Sequence, residues 1–280
     1  DVIDAALGAK LHYDIVQSGP WRPQFLVAES FGRDRVFIAG DATHQYMPTG
    51  GLGMNTGLAE AHNLAWKLAA MVKGWGGPRL LASYEAERRP VALRNRDHVK
   101  SCAAAAFEPN FEVGPHLLDD SAAGKANRDQ VAEAFIAKTS RLYESMGIEI
   151  GYRYGSGILQ GGGANAAQSS DVTQYVPDAS PGARLPVAFL SDGAAVQDRL
   201  DPKGMTLIHF PDADASEIEA LVGEAAKVGM PLTPLALDGS ALAPVFAASL
   251  LLIRPDGHVA WRGAGIAGKA AELVDLVRGA

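Results

Sequence analysis

The sequence contains a single cysteine, Cys102, in 280 residues. One thiol excludes an internal disulfide framework, a CxxC redox pair and a cysteine-rich zinc site. The 7 histidines do not take over as metal ligands, because no two of them lie three to five residues apart. Basic runs are absent as well. No Lys/Arg cluster reaches the roughly 5 residues of a nucleic-acid patch, and 32 acidic against 25 basic side chains leave a formal charge of −7. A nucleic-acid partner is therefore not expected. The longest apolar stretches, such as Ser249–Ile253 and Ser101–Phe107, fall far short of the ~20 residues that cross a bilayer. The N-terminus shows no basic segment followed by an apolar one, so the expected location is cytoplasmic, away from membrane. An initiating methionine is lacking too: the chain opens at Asp1 within what reads as structured sequence, the pattern of a fragment.

What is present is apolar material, 48% of residues against 20% charged. That composition excludes disorder as the dominant state, and the length allows about two domains. Leu11, Tyr13 and Ile15 alternate with polar neighbours before Gly19–Pro20 and predict a half-buried strand. Arg35–Ala39 is a β-branched and aromatic run that predicts a buried strand feeding a loop. Leu58, Ala61, Leu64, Ala65, Leu68, Ala69 and Val72 recur at helical spacing, which predicts an amphipathic helix over Thr56–Lys73. Helical register resumes at Leu80, Leu81 and Tyr84, with a kink expected at Pro90. A further helix is predicted over Asn127–Met146, and Gly155–Ser170 reads as loop. In the last hundred residues the spacing predicts a strand at Met205–Phe210, a helix at Ser216–Val228 capped by Ser216, and a strand at Leu232–Leu237. A hairpin of Leu250–Ile253 with Val259–Arg262 and a helix from Lys269 complete it. That order, β-α-β-β-β-α, is that of a thioredoxin-like domain, here without a thiol.

The stretch richest in chemistry is Gly40-Asp41-Ala42-Thr43-His44-Gln45-Tyr46-Met47-Pro48-Thr49-Gly50-Gly51-Leu52-Gly53-Met54-Asn55. A strand, a glycine loop and a helix start form an anion-facing site, since unpaired N–H groups and the helix dipole favour negative charge there. Glycines let a planar ligand approach the backbone. A reduced flavin, whose N1–C2=O edge is anionic, is such a ligand, and Asp41 suits sugar or ribityl hydroxyls.

The run Arg35–Ala69 (RVFIAGDATHQYMPTGGLGMNTGLAEAHNLAWKLA) with Leu80–Pro90 (LLASYEAERRP) resembles the second FAD-contacting region of the class A flavoprotein aromatic hydroxylases of the phenol-hydroxylase type. GYRYGSGIL, PGARLPVAFL and LLLIRPDGHVAWRG are similar to that family's C-terminal, thioredoxin-like extension. The resemblance implies an α/β fold: a partial FAD-binding, glutathione-reductase-like segment with helices, followed by the thioredoxin-like domain. It implies the end of a substrate-domain sheet at 1–30, the C-terminal part of the FAD-binding domain at 31–160, a linker at 161–180 and the last domain at 181–280. By position, Gly40 and Asp41 become ribityl contacts, and Pro48 lies near the flavin edge. Gly51, Leu52, Gly53, Met54 and Asn55 present backbone to the ring, while Tyr46 and Met47 face either the substrate or the protein interior. The implied activity is hydroxylation of a phenolic or polyketide-like aromatic ring with FAD, O2 and NAD(P)H, NADPH being the expected co-substrate. Expected partners are a small aromatic substrate and a second copy of the chain, as a homodimer.

Two features stand against a simple transfer. Family members open with a βαβ unit bearing GxGxxG and carry a mid-chain Asp-Gly motif, and this sequence has neither. The alternative is a non-catalytic C-terminal piece or oligomerisation scaffold that does not bind FAD alone. The one GxGxxG, Gly263–Gly268, leaves only 12 residues before the terminus, too few for the second strand and acidic ribose ligand of a dinucleotide site. It reads as a turn and helix cap. His44 reads as a packing residue rather than a base, His62 as solvated or structural, and Trp66, Trp75 and Trp261 as core or domain-contact residues. The cluster Glu85, Glu87, Arg88, Arg89, Arg94 and Arg96 reads most simply as a solvated helix face of i,i+3 and i,i+4 ion pairs, with bracing of the FAD-binding domain as the alternative for some of them.

Overall fold

The computed structural model describes residues 2–10, 12–107, 113–160, 171–238 and 245–280. A short helix, α1 (Val2–Leu7), opens the chain. Leu11 lies outside the described residues, and 12–20 form no strand: Ile15 is 62% exposed, so that side chain faces solvent rather than a core. The first strands are two residues each. β1 (Leu26–Val27) pairs antiparallel with β4 (His44–Gln45), and β2 (Gly32–Arg33) with β3 (Val36–Phe37). The strand expected at Arg35–Ala39 is thus shorter and more open than the pattern implied, with Val36 exposed on a hairpin whose turn places Asp34 at φ 55°. Aspartate tolerates that left-handed conformation better than most residues.

α2 (Leu52–Val72) begins four residues before the predicted Thr56, because left-handed Gly51 ends the loop there. Its orientation differs from the sequence reading. The helix buries Leu52, Thr56, Glu60, Asn63, Leu64, Trp66, Lys67 and Ala70, whereas Leu58, Leu68 and Val72 of the apolar stripe face outward, Val72 at 88% exposure. α3 (Ala82–Phe107) runs through Pro90, which does not end it. α4 spans Ala122–Thr139, shifted toward the N-terminus relative to Asn127–Met146 because Ser121 Oγ accepts from Gly124 N and starts the helix there. α5 (Met146–Ile150) follows a single 3-10 turn.

The C-terminal part contains β5 (Met205–His209), α6 (Ala215–Lys227), β6 (Leu232–Ala236), β7 (Leu250–Ile253), β8 (Val259–Gly263) and α7 (Ala270–Arg278). The sheet order is β6-β5-β7-β8, with β5 and β6 parallel and the other neighbours antiparallel. Every predicted element of this part is present within a residue or two. The cap of α6 is Asp214 rather than Ser216: its carboxylate accepts from Ser216 N and Oγ at 2.8 and 2.7 Å. Residues 161–170 of the expected linker lie outside the described residues, and 171–180 carry no helix or strand.

This sheet does not stand alone. One apolar cluster joins Trp66, Trp75, Leu80 and Val91 of the helical part to Met205, Leu207, Leu250 and Leu252 of the strands and Leu273 of α7. The chain terminus closes the same seam, where Gly77 N donates to Arg278 O at 2.6 Å.

Candidate functional site

Gly40, at φ 64°, opens a single 3-10 turn that carries Asp41 outward into solvent. That turn is fixed from beneath by a residue the sequence reading passed over. Glu60 of α2 is fully buried, and its Oε2 accepts from Gly40 N at 2.8 Å and from Thr43 Oγ1 at 2.7 Å. Gly57, one turn earlier, brings the helix against the loop: a Cβ there would stand 3.1 Å from Gly40 Cα. His44 is buried, 3.5 Å from Glu60 Oε1, and stacks on Tyr46 with centroids 4.5 Å apart. It sits behind the loop as a packing residue. Tyr46 donates its hydroxyl to Ala92 O at 2.6 Å, and burial pushes its ionisation upward. Together with Met47 it packs on Leu52, Val99 and Ile148.

Pro48 is exposed, and Gly50 and Gly51 follow in left-handed conformations at φ 82° and 67°. Gly51 caps α2 without a side-chain acceptor, and no acidic residue occupies the first turn. The N–H groups of Leu52, Gly53 and Met54 therefore carry the positive end of a 21-residue helix that neither a cap side chain nor a first-turn carboxylate offsets. Nothing lies within 4 Å of a Cβ built on Gly51 or Gly53. Open glycine backbone, uncapped donors and an outward carboxylate form a donor set suited to FAD: a flat ring with an anionic edge, and a hydroxylated chain. Asn55 steadies the cap by donating Nδ2 to Gly51 O at 2.8 Å.

The GxGxxG loop, Gly263–Gly268, has the opposite character. Glu217 Oε2 and Oε1 accept from Ile266 N and Ala267 N, each at 2.8 Å, so its anion seat is filled by the protein itself.

The charged cluster on α3 is not a solvated face. Glu87 and Arg88 are each 1% exposed. Glu87 Oε1 accepts from Arg254 Nη1 and Ser156 Oγ, both at 2.7 Å, and Oε2 accepts from Lys67 Nζ and Asn63 Nδ2 at 2.8 Å and Arg254 Nη2 at 2.9 Å. Burial alone would raise its pKa, but Arg254 and Lys67 hold it down to about 2. Burial lowers Lys67 to about 8 against the pull of Glu87, which leaves it protonated at neutral pH. Asp256 extends the network to Trp66 Nε1 and Asn63 Nδ2, each at 3.2 Å. The helices beneath the loop are thereby tied to the β7–β8 turn. Glu85, Arg89 and Arg94 likewise bond backbone: Phe31 N, Ala28 O, and the carbonyls of Gly147 and Ile148. His62 is exposed, and Trp66 and Trp75 are buried and stacked.

Residues 4–99 match the family model described as FAD binding domain, and residues 178–279 match aromatic-ring hydroxylase, C-terminal. Among curated relatives, FAD-dependent monooxygenase apdD of Emericella nidulans is 36% identical over 260 residues, covering 89% of this chain and 42% of that protein. A putative polyketide hydroxylase of Streptomyces halstedii is 32% identical, covering 94% and 47%. Among solved structures, RebC soaked with chromopyrrolic acid, with bound 7-carboxy-K252c, superposes with a TM-score of 0.81 at 37% identity, covering 90% of this chain and 47% of that one. The flavin-dependent monooxygenase PieE, in complex with FAD and substrate, gives 0.74 at 30%, covering 92% and 49%. The chain spans about half the length of the curated relatives it matches. No helix among the described residues is long and apolar enough to cross a membrane.

Proposed function

This chain is a relative of the FAD-dependent aromatic-ring monooxygenases, and we propose that it supplies the ring-facing part of the flavin site in an enzyme that hydroxylates a phenolic or polyketide-like aromatic compound with NAD(P)H and O2. The observation that carries this reading is the glycine-built start of α2, whose first-turn donors have no side-chain cap. FAD, when bound, supplies the redox chemistry and the activation of oxygen. The chain's own residues bind and orient it. Gly40 and Asp41 take the ribityl chain, and Asp41 accepts hydroxyl hydrogens. The backbone N–H groups of Leu52, Gly53 and Met54 stabilise negative charge at the pyrimidine edge of the ring. Gly51 and Asn55 hold that helix start in place, and Pro48 would lie near the flavin edge. Tyr46 and Met47 form the wall toward the aromatic substrate and exclude water there by their packing. The test is a fluorescence titration of FAD against the chain and its Asp41→Ala variant. Weaker binding by the variant is expected, and equal affinity would remove Asp41 from the site.

The outward apolar stripe of α2 supports a second reading of the isolated chain, as a cytoplasmic scaffold that does not retain FAD unaided. Under both readings 1–30 closes a substrate-domain sheet and 31–160 belongs to the FAD-binding domain. After the linker 161–180, 181–280 is a thioredoxin-like domain, a reading that the β6-β5-β7-β8 order supports. Without thiols that domain serves assembly, as in a homodimer, and a sedimentation measurement showing only monomer would count against it.

A further inference from the structure

A cleft of about 410 Å³ opens on the flank of α2, between α3, residues 149–154 and the β7–β8 turn. It shares Leu52 and Asn55 with the loop, but the other predicted flavin contacts do not line it. Three polar atoms on its lining residues are buried and have no hydrogen-bond partner among the described residues: Arg88 Nε, Asn95 Oδ1 and His258 Nε2. Their residues are 1%, 5% and 3% exposed. Groups buried this deeply normally have partners, because an unmet bond leaves the desolvation of the group uncompensated.

The neighbours of each atom fix what it offers. Thr56 Oγ1 donates to Leu52 O at 2.7 Å, so it must accept from Asn95, whose Nδ2 lies 2.9 Å away. This orientation leaves Asn95 Oδ1 as a bare acceptor. His258 Nδ1 faces two acceptors, Asp256 O at 3.1 Å and Asp256 Oδ1 at 3.5 Å, so Nδ1 carries the hydrogen and Nε2 is the lone-pair side. Burial lowers the His258 pKa despite the adjacent Asp256, which keeps Nε2 unprotonated at neutral pH. Arg88 commits Nη1 to Tyr154 Oη at 3.1 Å and Nη2 to Thr56 O at 3.3 Å, and Nε–H remains as a donor.

The unmet set is one charged donor and two acceptors. A carboxylate would satisfy Arg88 and be repelled by the lone pairs of Asn95 and His258. An ammonium would do the reverse. A pair of adjacent hydroxyls does both, donating to the two acceptors while an oxygen accepts from Arg88. Leu52, Val91, Ile150 and the Tyr152 ring supply apolar wall around these groups, while Glu149 and Arg184, of opposite charge, also line the cleft together with His62 and Asp256. We propose that this cleft binds a neutral ring compound bearing adjacent hydroxyls, held by Arg88, Asn95 and His258. The same chemistry is offered by a diphenol and by a cyclic aliphatic diol. The proposal does not depend on the flavin reading.

Ligand-observed NMR titration of the 280-residue chain with catechol, cis-1,2-cyclohexanediol and benzoate tests it. Saturable one-to-one binding of a diol, tighter than benzoate and weakened about tenfold in Asn95→Leu at unchanged melting temperature, is the expected result. Binding of catechol alone identifies an aromatic ligand, and equal binding of both diols a cyclic polyol. Absence of saturable binding by either diol, tighter binding of benzoate, or indifference to Asn95→Leu overturns the proposal. Should Asn95→Leu not fold, the Arg88 Nε and Asn95 Nδ2 signals of the parent chain are followed instead, and shifts confined to other residues overturn it equally.

Discussion

Glu87→Gln is the sharpest perturbation of the buried network that ties the flavin-loop helices to the C-terminal sheet. The amide keeps the shape of the carboxylate but offers one acceptor oxygen where two are in use. It also turns an NH2 toward either Arg254 and Ser156 or Lys67 and Asn63, all of which donate to Glu87 at 2.7–2.9 Å. Lys67 is then a buried cation without its paired carboxylate, and Arg254 is left with Asp256. Breaking one partner of a buried pair costs about 3–5 kcal/mol, which for a chain of this size lowers the melting temperature by roughly 10 °C. Because Glu87 sits on α3 and Arg254 at the end of β7, the loss falls on the seam between the helical part and the sheet. Thermal and urea denaturation followed by tryptophan fluorescence and circular dichroism read both sides of that seam, and the parent is expected to unfold in one transition. Adding Lys67→Met to Glu87→Gln removes one orphaned cation and should restore part of the loss, a positive coupling of about 0.5–3 kcal/mol. A melting temperature within about 2 °C of the parent would mean that the network contributes no more than an exposed pair and does not hold the seam.

Other expectations concern the loop and the pH response. Glu60→Ala frees Gly40 N and Thr43 Oγ1, and is expected to destabilise the chain by about 1–3 kcal/mol and to weaken FAD binding, read by melting and flavin quenching. Gly51→Ala places a side chain at φ 67° with no steric neighbour, so its cost of about 1–2 kcal/mol comes from the backbone alone and is read by urea denaturation. The Glu87 pKa of about 2 lies below its ordinary 4.5. Its contribution of about 3 kcal/mol is therefore complete above the ordinary value and is lost as pH falls from ~5 toward 2, a slope that Glu87→Gln should flatten.

Much of the architecture was legible because it is local. Turn residues, caps and alternation located β5 through α7 to within a residue or two, whereas the apolar spacing placed the start of α2 at Thr56, four residues late. The face of α2 was not legible. Periodicity placed Leu58, Leu68 and Val72 on the inward face, whereas the helix buries Glu60, Asn63 and Lys67. Their partners lie on other elements: Glu87 is 20 and 24 positions from Lys67 and Asn63, and Asp256 is 193 from Asn63. A one-dimensional pattern carries no signal for such pairings. The spacing of Thr56, Glu60, Asn63 and Lys67, at steps of four, three and four, did trace a polar stripe as regular as the apolar one. That stripe was the available clue to Glu60. The strand expected at Leu11–Ile15 shows the complementary failure, since alternation describes a face only where something covers it.

On the proposed function the loop and the uncapped start of α2 receive the flavin. Titration of the isotope-labelled chain with FAD, followed by flavin fluorescence and backbone amide shifts, is the decisive experiment. Saturating quenching with shifts at Gly40, Asp41 and Gly51–Asn55 is predicted. Amides of that loop that ignore FAD, in a chain that remains colourless, would contradict it.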